Sequence, residues 1–134
     1  MPERGAAASI LAPVSAGELL DKISILKIKT ERIDDLAKRA HAAHELLLLD
    51  RVRARHVPDS DNVHRLCGAL KRVNEKLWEI EDRLRIKERE GAFDAEFIAL
   101  ARSVYQTNDE RAALKRQLNE ALGSKIMEVK GYAA

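Results

Sequence analysis

The stretch from Glu18 to Val57, ELLDKISILKIKTERIDDLAKRAHAAHELLLLDRVRARHV, decides the fold class. It holds neither glycine nor proline and is rich in Leu, Lys, Arg, Glu and Ala, the residues that lose least on entering a helix. Leu19, Ile23, Leu26, Thr30, Ile33, Ala37, Ala40, His44 and Leu47 recur in the a/d manner of a heptad. That spacing predicts one helix running to about Arg55, on the order of 60 Å long. A kink is expected near His41–Ala43, where the apolar phase shifts toward Leu46–Leu49. The start is marked as well: Ser15 is placed to cap, Glu18 three residues on completes a capping box, and Val14 and Leu19 hold the positions of a hydrophobic staple. Opposite the main apolar face lie Ile25 and Ile28, flanked by Asp21 and Arg32. A helix apolar on two sides needs cover on both, from the tail or from a second copy of the chain, so a homodimer is expected.

Downstream, Pro58-Asp59-Ser60 interrupts the pattern, and Asp59 or Ser60 is placed to cap a second helix. Its seam is Val63, Leu66, Leu70, Val73, Leu77, Ile80 and Leu84, with Gly91 as its stop. Gly68 inside that helix costs about 1 kcal/mol against Ala, which points to a close helix contact there. A third helix starts at Asp94, with Phe93 and Ile98 as staple, and runs through Phe97, Ala101, Val104 and Tyr105 to Leu118 and Leu122, with Gly123 after it. Thr107-Asn108-Asp109-Glu110 is itself a capping-box pattern, yet the helical period keeps its phase across it, so the helix is expected to continue. No segment alternates in period two for long enough to make a strand. The expectation is therefore an all-α fold: three long helices in an antiparallel bundle or coiled-coil-like arrangement over residues 14–123. A disordered leader, 1–13, precedes it and a short C-terminal tail, 124–134, follows.

Composition narrows the function classes. The 134 residues suit one domain, and hydrophobic residues at 46% with aromatics at only 4% dictate an aliphatic core. A net charge of +2 is too small to mark a nucleic-acid binder. With Cys67 as the one cysteine, no intrachain disulfide or thiolate metal cluster can form, and its place beside Leu66 and Leu70 suits a small hydrophobe rather than a nucleophile. The run Leu46–Leu49 falls far short of the roughly 20 apolar residues that span a bilayer, and a cytoplasmic chain is expected. His41 and His44 have helical i, i+3 spacing but lack a third ligand, so they are read as solvent-facing and no metal is expected. Arg51, Arg53 and Arg55 spread around a helix end without an aromatic platform, so nucleic acid is not the expected partner, and RNA or membrane-surface binding through them is the third and weakest alternative. There is no Ser/His/Asp arrangement and no Gly-rich phosphate loop, so no catalytic residue and no cofactor is assigned.

The polar residues on inward faces carry the most information. On the third helix these are Asn108, Arg111 and Lys115; on the second Asn74, Glu81 and Glu88, beside Trp78 and Arg85; on the first Lys22 and Lys29. Buried charges are costly unless paired and hydrogen-bonded. One reading is an internal network, Glu81 or Glu88 with Arg111 or Lys115, that fixes helix register. The other is a mid-bundle site for a small anionic ligand, formed by Lys22, Lys29, Glu81, Arg85, Asn108, Arg111 and Lys115. Carboxylate pairing of Arg111 and Lys115 favours the first, and convergence on an open pocket favours the second.

The segments Val14-Ser15-Ala16-Gly17-Glu18-Leu19-Leu20-Asp21-Lys22 through Ile33, then Trp78-Glu79-Ile80-Glu81-Asp82, Ala101-Arg102-Ser103-Val104-Tyr105, Asn108-Asp109-Glu110-Arg111, Gly123-Ser124 and Glu128-Val129-Lys130, resemble a family of short bacterial proteins classed as a domain of unknown function. The resemblance runs from about Val14 to Tyr132. It implies a surface-polysaccharide setting beside glycosyltransferase-like modules and assigns no activity. Two functional expectations follow from the chain as a whole. The first is a non-enzymatic helical interaction or accessory module with a protein partner. The alternative is a small all-helical enzyme or sensor for an anionic metabolite, comparable with the helical chorismate mutases at the level of fold alone.

Overall fold

Ser15 stands where the sequence places it: its Oγ accepts the Glu18 amide at 3.1 Å, and α1 (Ala16–Arg32) begins there. The Glu18 carboxylate reaches across to Lys115, and Val14 is exposed, so the cap forms without its staple. The structure, a computed structural model, describes residues 9–126 and 129–131. Residues 1–8 of the expected leader, and Met127, Glu128 and 132–134 of the expected tail, lie outside the described residues.

The first long helix does not run to Arg55. Ile33 turns to extended backbone while its N–H bonds the Lys29 carbonyl at 3.0 Å, and Asp35 opens α2 (Leu36–His56) by accepting the Lys38 amide at 3.0 Å. Four helices, not three, are therefore present among the described residues. The cause is local. Asp is a poor interior residue and a good cap, because its carboxylate competes for the amides that start a helix. Around Asp34-Asp35 the seam offers Thr30, Ile33, Ala37 and Ala40, with Ile33 its one large apolar side chain, too little contact to hold the helix straight. α2 passes unbroken through His41–Ala43, where the kink was expected, and folds back along α1 with Lys22 on Glu45 at 2.9 Å.

After the break at Pro58, Ser60 caps α3 (Asp61–Glu90) through the Val63 amide at 3.2 Å. Gly91 ends it in the left-handed conformation, φ 66°, with its N–H on the Glu88 carbonyl and that of Ala92 on Lys87. Asp94 caps α4 (Ala95–Ala121), which continues through Thr107–Glu110 as expected. α3 and α4 form a long antiparallel hairpin whose turn is tied by Lys87 to Asp94 and Glu96.

A coiled-coil-like register does not describe the result, because α1 touches all three other helices while α2 packs on α1 alone. Leu19, Leu20 and Ile23 meet Val63, Leu66, Leu70 and Leu118 in an entirely aliphatic core, with Cys67 at its margin. The opposite face of α1 is covered too: Ile28 is buried and Ile25 half-buried beside Asn74, Leu77 and Trp78 of α3. α3 supplies part of that cover within the chain, and Ile25 still borders an open cleft. Among the described residues no helix is long and apolar enough to cross a membrane.

The close helix contact is at Gly17 and not at Gly68. A Cβ at Gly68 would meet only the Arg72 guanidinium, at 3.5 Å, whereas one at Gly17 would stand 2.6 Å from the Lys115 carbonyl oxygen. The missing side chain lets the Gly17 amide reach Asn119 Oδ1 at 2.7 Å, while the Ala16 amide meets Ser124 Oγ at 3.4 Å. The unpaired N–H groups that begin any helix are thus satisfied by α4, by the segment after it and by Ser15.

Two predictions follow from this geometry. Gly17→Ala forces α1 away from α4 and should cost about 1–3 kcal/mol with the helix content kept, read by chemical unfolding and circular dichroism. The second concerns acid. The Lys38 amide holds the Asp35 carboxyl below its ordinary range, as the Phe97 amide and then Lys87 do for Asp94. A carboxyl whose pKa is lower in the folded state stabilises above its unfolded value, and that contribution is lost as pH falls through the folded one. Unfolding midpoints should therefore drop below about pH 4, and Asp35→Asn and Asp94→Asn should each flatten the drop.

Candidate functional site

Asp21 is the buried charge on which the site is built. It is 3% exposed, and the position that buries it also brings it to three partners. Arg111 donates from Nε to Oδ1 at 2.9 Å and pairs through Nη2 with Oδ2, a bidentate grip. Asn74 Nδ2 donates to Asp21 Oδ1 at 2.9 Å and to Ser24 Oγ at 2.7 Å, and the Ser24 hydroxyl donates to the Asp21 carbonyl at 2.8 Å. α1, α3 and α4 are thereby joined at one level. One turn toward the end of α4, Lys115 is nearly enclosed, its side chain 11% exposed, with Nζ 2.5 Å from Glu18.

Both mid-bundle cations are thus paired, though not with the expected carboxylates. Glu88 lies by the hairpin turn, and the antiparallel course of α4 carries Arg111 about 25 Å away from that end. Glu81 is exposed. Among the described residues, Asp21 reaches Arg111 and Glu18 reaches Lys115, both from α1. Asp21 falls in helical register with Ile25 and Ile28, and that placement on the second apolar stripe was the available signal that it is buried.

The residues assigned to one anion site separate into two places that meet at Arg111. Glu81 and Arg85 line a cleft of about 380 Å³ floored by Ile25, Ile28, Leu77 and Trp78. Asn108, Arg111 and Lys115 line a recess of about 60 Å³ with Ala112 and Lys130. That recess borders a cavity of about 350 Å³ completed by Asp109, Ala113, Arg116 and Asn119. Lys22 and Lys29 line neither, Lys22 being held by Glu45 on the α2 side. Lys130 and Asn119 were not assigned from sequence. Asn119 passes for a surface polar residue until Gly17 is seen against it, and Lys130 sits in a segment without helical period.

Other candidates resolve more simply. His41 and His44 are exposed, and among the described residues no group of three His, Cys, Asp or Glu could hold a metal ion. Cys67 lines a separate cavity of about 280 Å³ between α1, the end of α2 and α3. Burial pushes its thiol up, against the smaller opposing effect of Lys27 and Arg53, so it stays protonated at neutral pH and makes a poor nucleophile. Arg53 pairs with Asp50, while Arg51 and Arg55 are exposed.

The family described as "Family of unknown function (DUF6165)" matches residues 11–134. No curated protein and no solved structure matches the chain.

Removing one partner of a buried pair leaves the other uncompensated, whereas replacing both by apolar groups need not. Asp21→Ala should therefore destabilise the fold by about 3 kcal/mol, and adding Arg111→Met to it should recover part of that loss. Urea unfolding of the two single variants and the double gives the coupling directly.

Proposed function

We propose that this chain, which belongs to the family of unknown function DUF6165, is a binding module rather than an enzyme, a cytoplasmic accessory that docks a segment of another protein. The observation that carries the reading is the cleft between α1 and α3 beside Arg111. Its floor of Ile25, Ile28, Leu77 and Trp78 is apolar, and its rim carries both signs of charge, Glu81 and Asp82 with Arg85 and Arg111. Two carboxylates among the rim cations leave no excess of positive charge to hold a small anion. An apolar floor between charged rims suits an amphipathic helix laid in a groove. Trp78 supplies the kind of large, half-buried aromatic anchor on which such interfaces depend. The resemblance noted from sequence suggests the setting, an accessory role beside glycosyltransferase-like proteins of surface-polysaccharide assembly.

A second reading is favoured by a different observation. Arg111 and Lys115 meet Lys130 and Asn108 in the small recess on the other side of Arg111, which supports a sensor for an anionic metabolite.

In-cell photo-crosslinking tests the first reading. A photoreactive residue replacing Arg85 should give one discrete protein adduct, absent when Trp78→Ala is added. The same residue replacing Lys38, on α2 away from the cleft, should give none. An adduct of twice the chain's mass would make the partner a second copy and the module a homodimer. No adduct from position 85, or the same adducts from both positions, overturns the proposal.

A further inference from the structure

α2 (Leu36–His56) touches α1 and no other helix, and Ala42 is its one buried residue. At about 100° per residue the half-buried positions, Arg39, Glu45, Leu46, Leu49, Asp50 and Arg53, fall on the same side as Ala42, the side laid on α1. About a third of a turn around the helix runs a second line: Leu36, Ala40, Ala43 and Leu47. All four are exposed, Leu36 at 76% and Leu47 at 52%, so α2 carries an apolar line that the chain itself leaves uncovered. No charged residue lies within it, and it ends at Asp50, which is drawn to Arg53. The steps along it are four, three and four residues, the same read from either end.

We propose that this line is the contact between two copies of the chain, whose α2 helices pair antiparallel about a two-fold axis passing between His41 and Ala42. In that register Leu36 meets Leu47 of the partner subunit and Ala40 meets Ala43 of the partner subunit, each contact occurring twice. A two-fold interface requires a surface that complements itself, and a line with symmetric spacing does so; a different partner would impose no such symmetry. The central alanines let the two helix axes approach to about 8 Å, and a leucine closes the contact at either end. Antiparallel pairing also opposes the two helix dipoles and sets the Arg51 side chains far apart, whereas parallel pairing would align the dipoles and bring the arginines level. From Leu36 to Leu47 the line is about 17 Å long, short of a standard-size interface, so the dimer forms and separates with concentration. α2 takes no part in the cleft with Trp78, which stays open in both copies and gives the dimer two of them. Lys38 falls on the opposite side of α2 from the line.

Sedimentation equilibrium of the full chain, over a concentration series reaching hundreds of micromolar, tests this. Monomer and dimer should exchange with concentration. Leu47→Lys should raise the dissociation constant about tenfold or more, since symmetry removes the contact twice. The melting temperature of the dilute protein should stay in place, because that leucine is already half exposed in the single chain. Leu48→Lys, comparably exposed and one position off the line, should leave both unchanged. Leu36→Glu alone should weaken the dimer as Leu47→Lys does. The two together should recover much of the loss, each glutamate then facing a lysine of the partner subunit, and Leu36→Lys with Leu47→Lys should not. A monomer at every concentration, or a dimer indifferent to Leu47→Lys, would overturn the proposal. So would a charge-exchanged double variant no tighter than the two-lysine one, because only antiparallel pairing brings those two positions together.

Discussion

A carboxylate sealed from water has to be neutralised by whatever folds over it, and Asp21 imposes that condition on the whole bundle. Its partners come from two of the three helices that pack on α1: Arg111 from α4 and Asn74 from α3. Sliding either helix by one turn would leave the Asp21 charge, the Arg111 charge or the Asn74 amide unpaired in a water-poor interior, a loss of several kcal/mol. Aliphatic side chains such as Leu66, Leu70 and Leu118 tolerate small shifts, since one methyl contact replaces another. The polar network does not, and it sets the register that the aliphatic core then fills.

The same choice leaves space unfilled. Between Val104 and Leu118 the inner side of α4 carries Thr107, Asn108, Arg111, Ala112 and Lys115, and of the large aliphatic side chains in that stretch only Leu114 packs against the core. Thr107 makes the point from the other direction: it is 1% exposed, and its hydroxyl has no hydrogen-bond partner among the described residues. The cleft with Trp78 and the recess with Lys130 lie on either side of this stretch. Cavities at a place where the chain forgoes apolar packing are a direct consequence of the network. Elsewhere Leu66, Leu70 and Leu118 are sealed in the aliphatic core.

The features readable from sequence were those written in a few adjacent residues. Ser15, Ser60 and Asp94 cap where their side chains predict, Gly91 turns left-handed after α3, and the aliphatic core follows from the scarcity of aromatics. The break after Ile33 escaped notice because neither glycine nor proline marks it, and Asp34-Asp35 resembles any charged pair on an exposed helix face. That break also turned α2 back onto α1, which the heptad pattern could not reveal. Partner identity was harder still. Arg111 was placed inward correctly, yet its acid lies ninety residues away in sequence on α1. Only the crossing of α1 over the α3–α4 hairpin selects Asp21 over Glu81 and Glu88.

Carboxylate pairing of Arg111 and Lys115 meets the condition set for a structural network, and the same residues also border open space. The guanidinium of Arg111 is locked by two contacts to Asp21, and the same group forms part of the wall of both the cleft and the recess. A surface arginine would lose rotamer freedom on meeting a ligand; one already held by a buried carboxylate has lost it during folding. Lys115, enclosed and held by Glu18, is fixed in the same manner. The pairs that stabilise the register therefore also pre-position the polar groups on either side of it. Moving the acid from α1 to α3, as a Glu81 pairing would have required, would swing Arg111 away from the recess and remove the wall that the two spaces share.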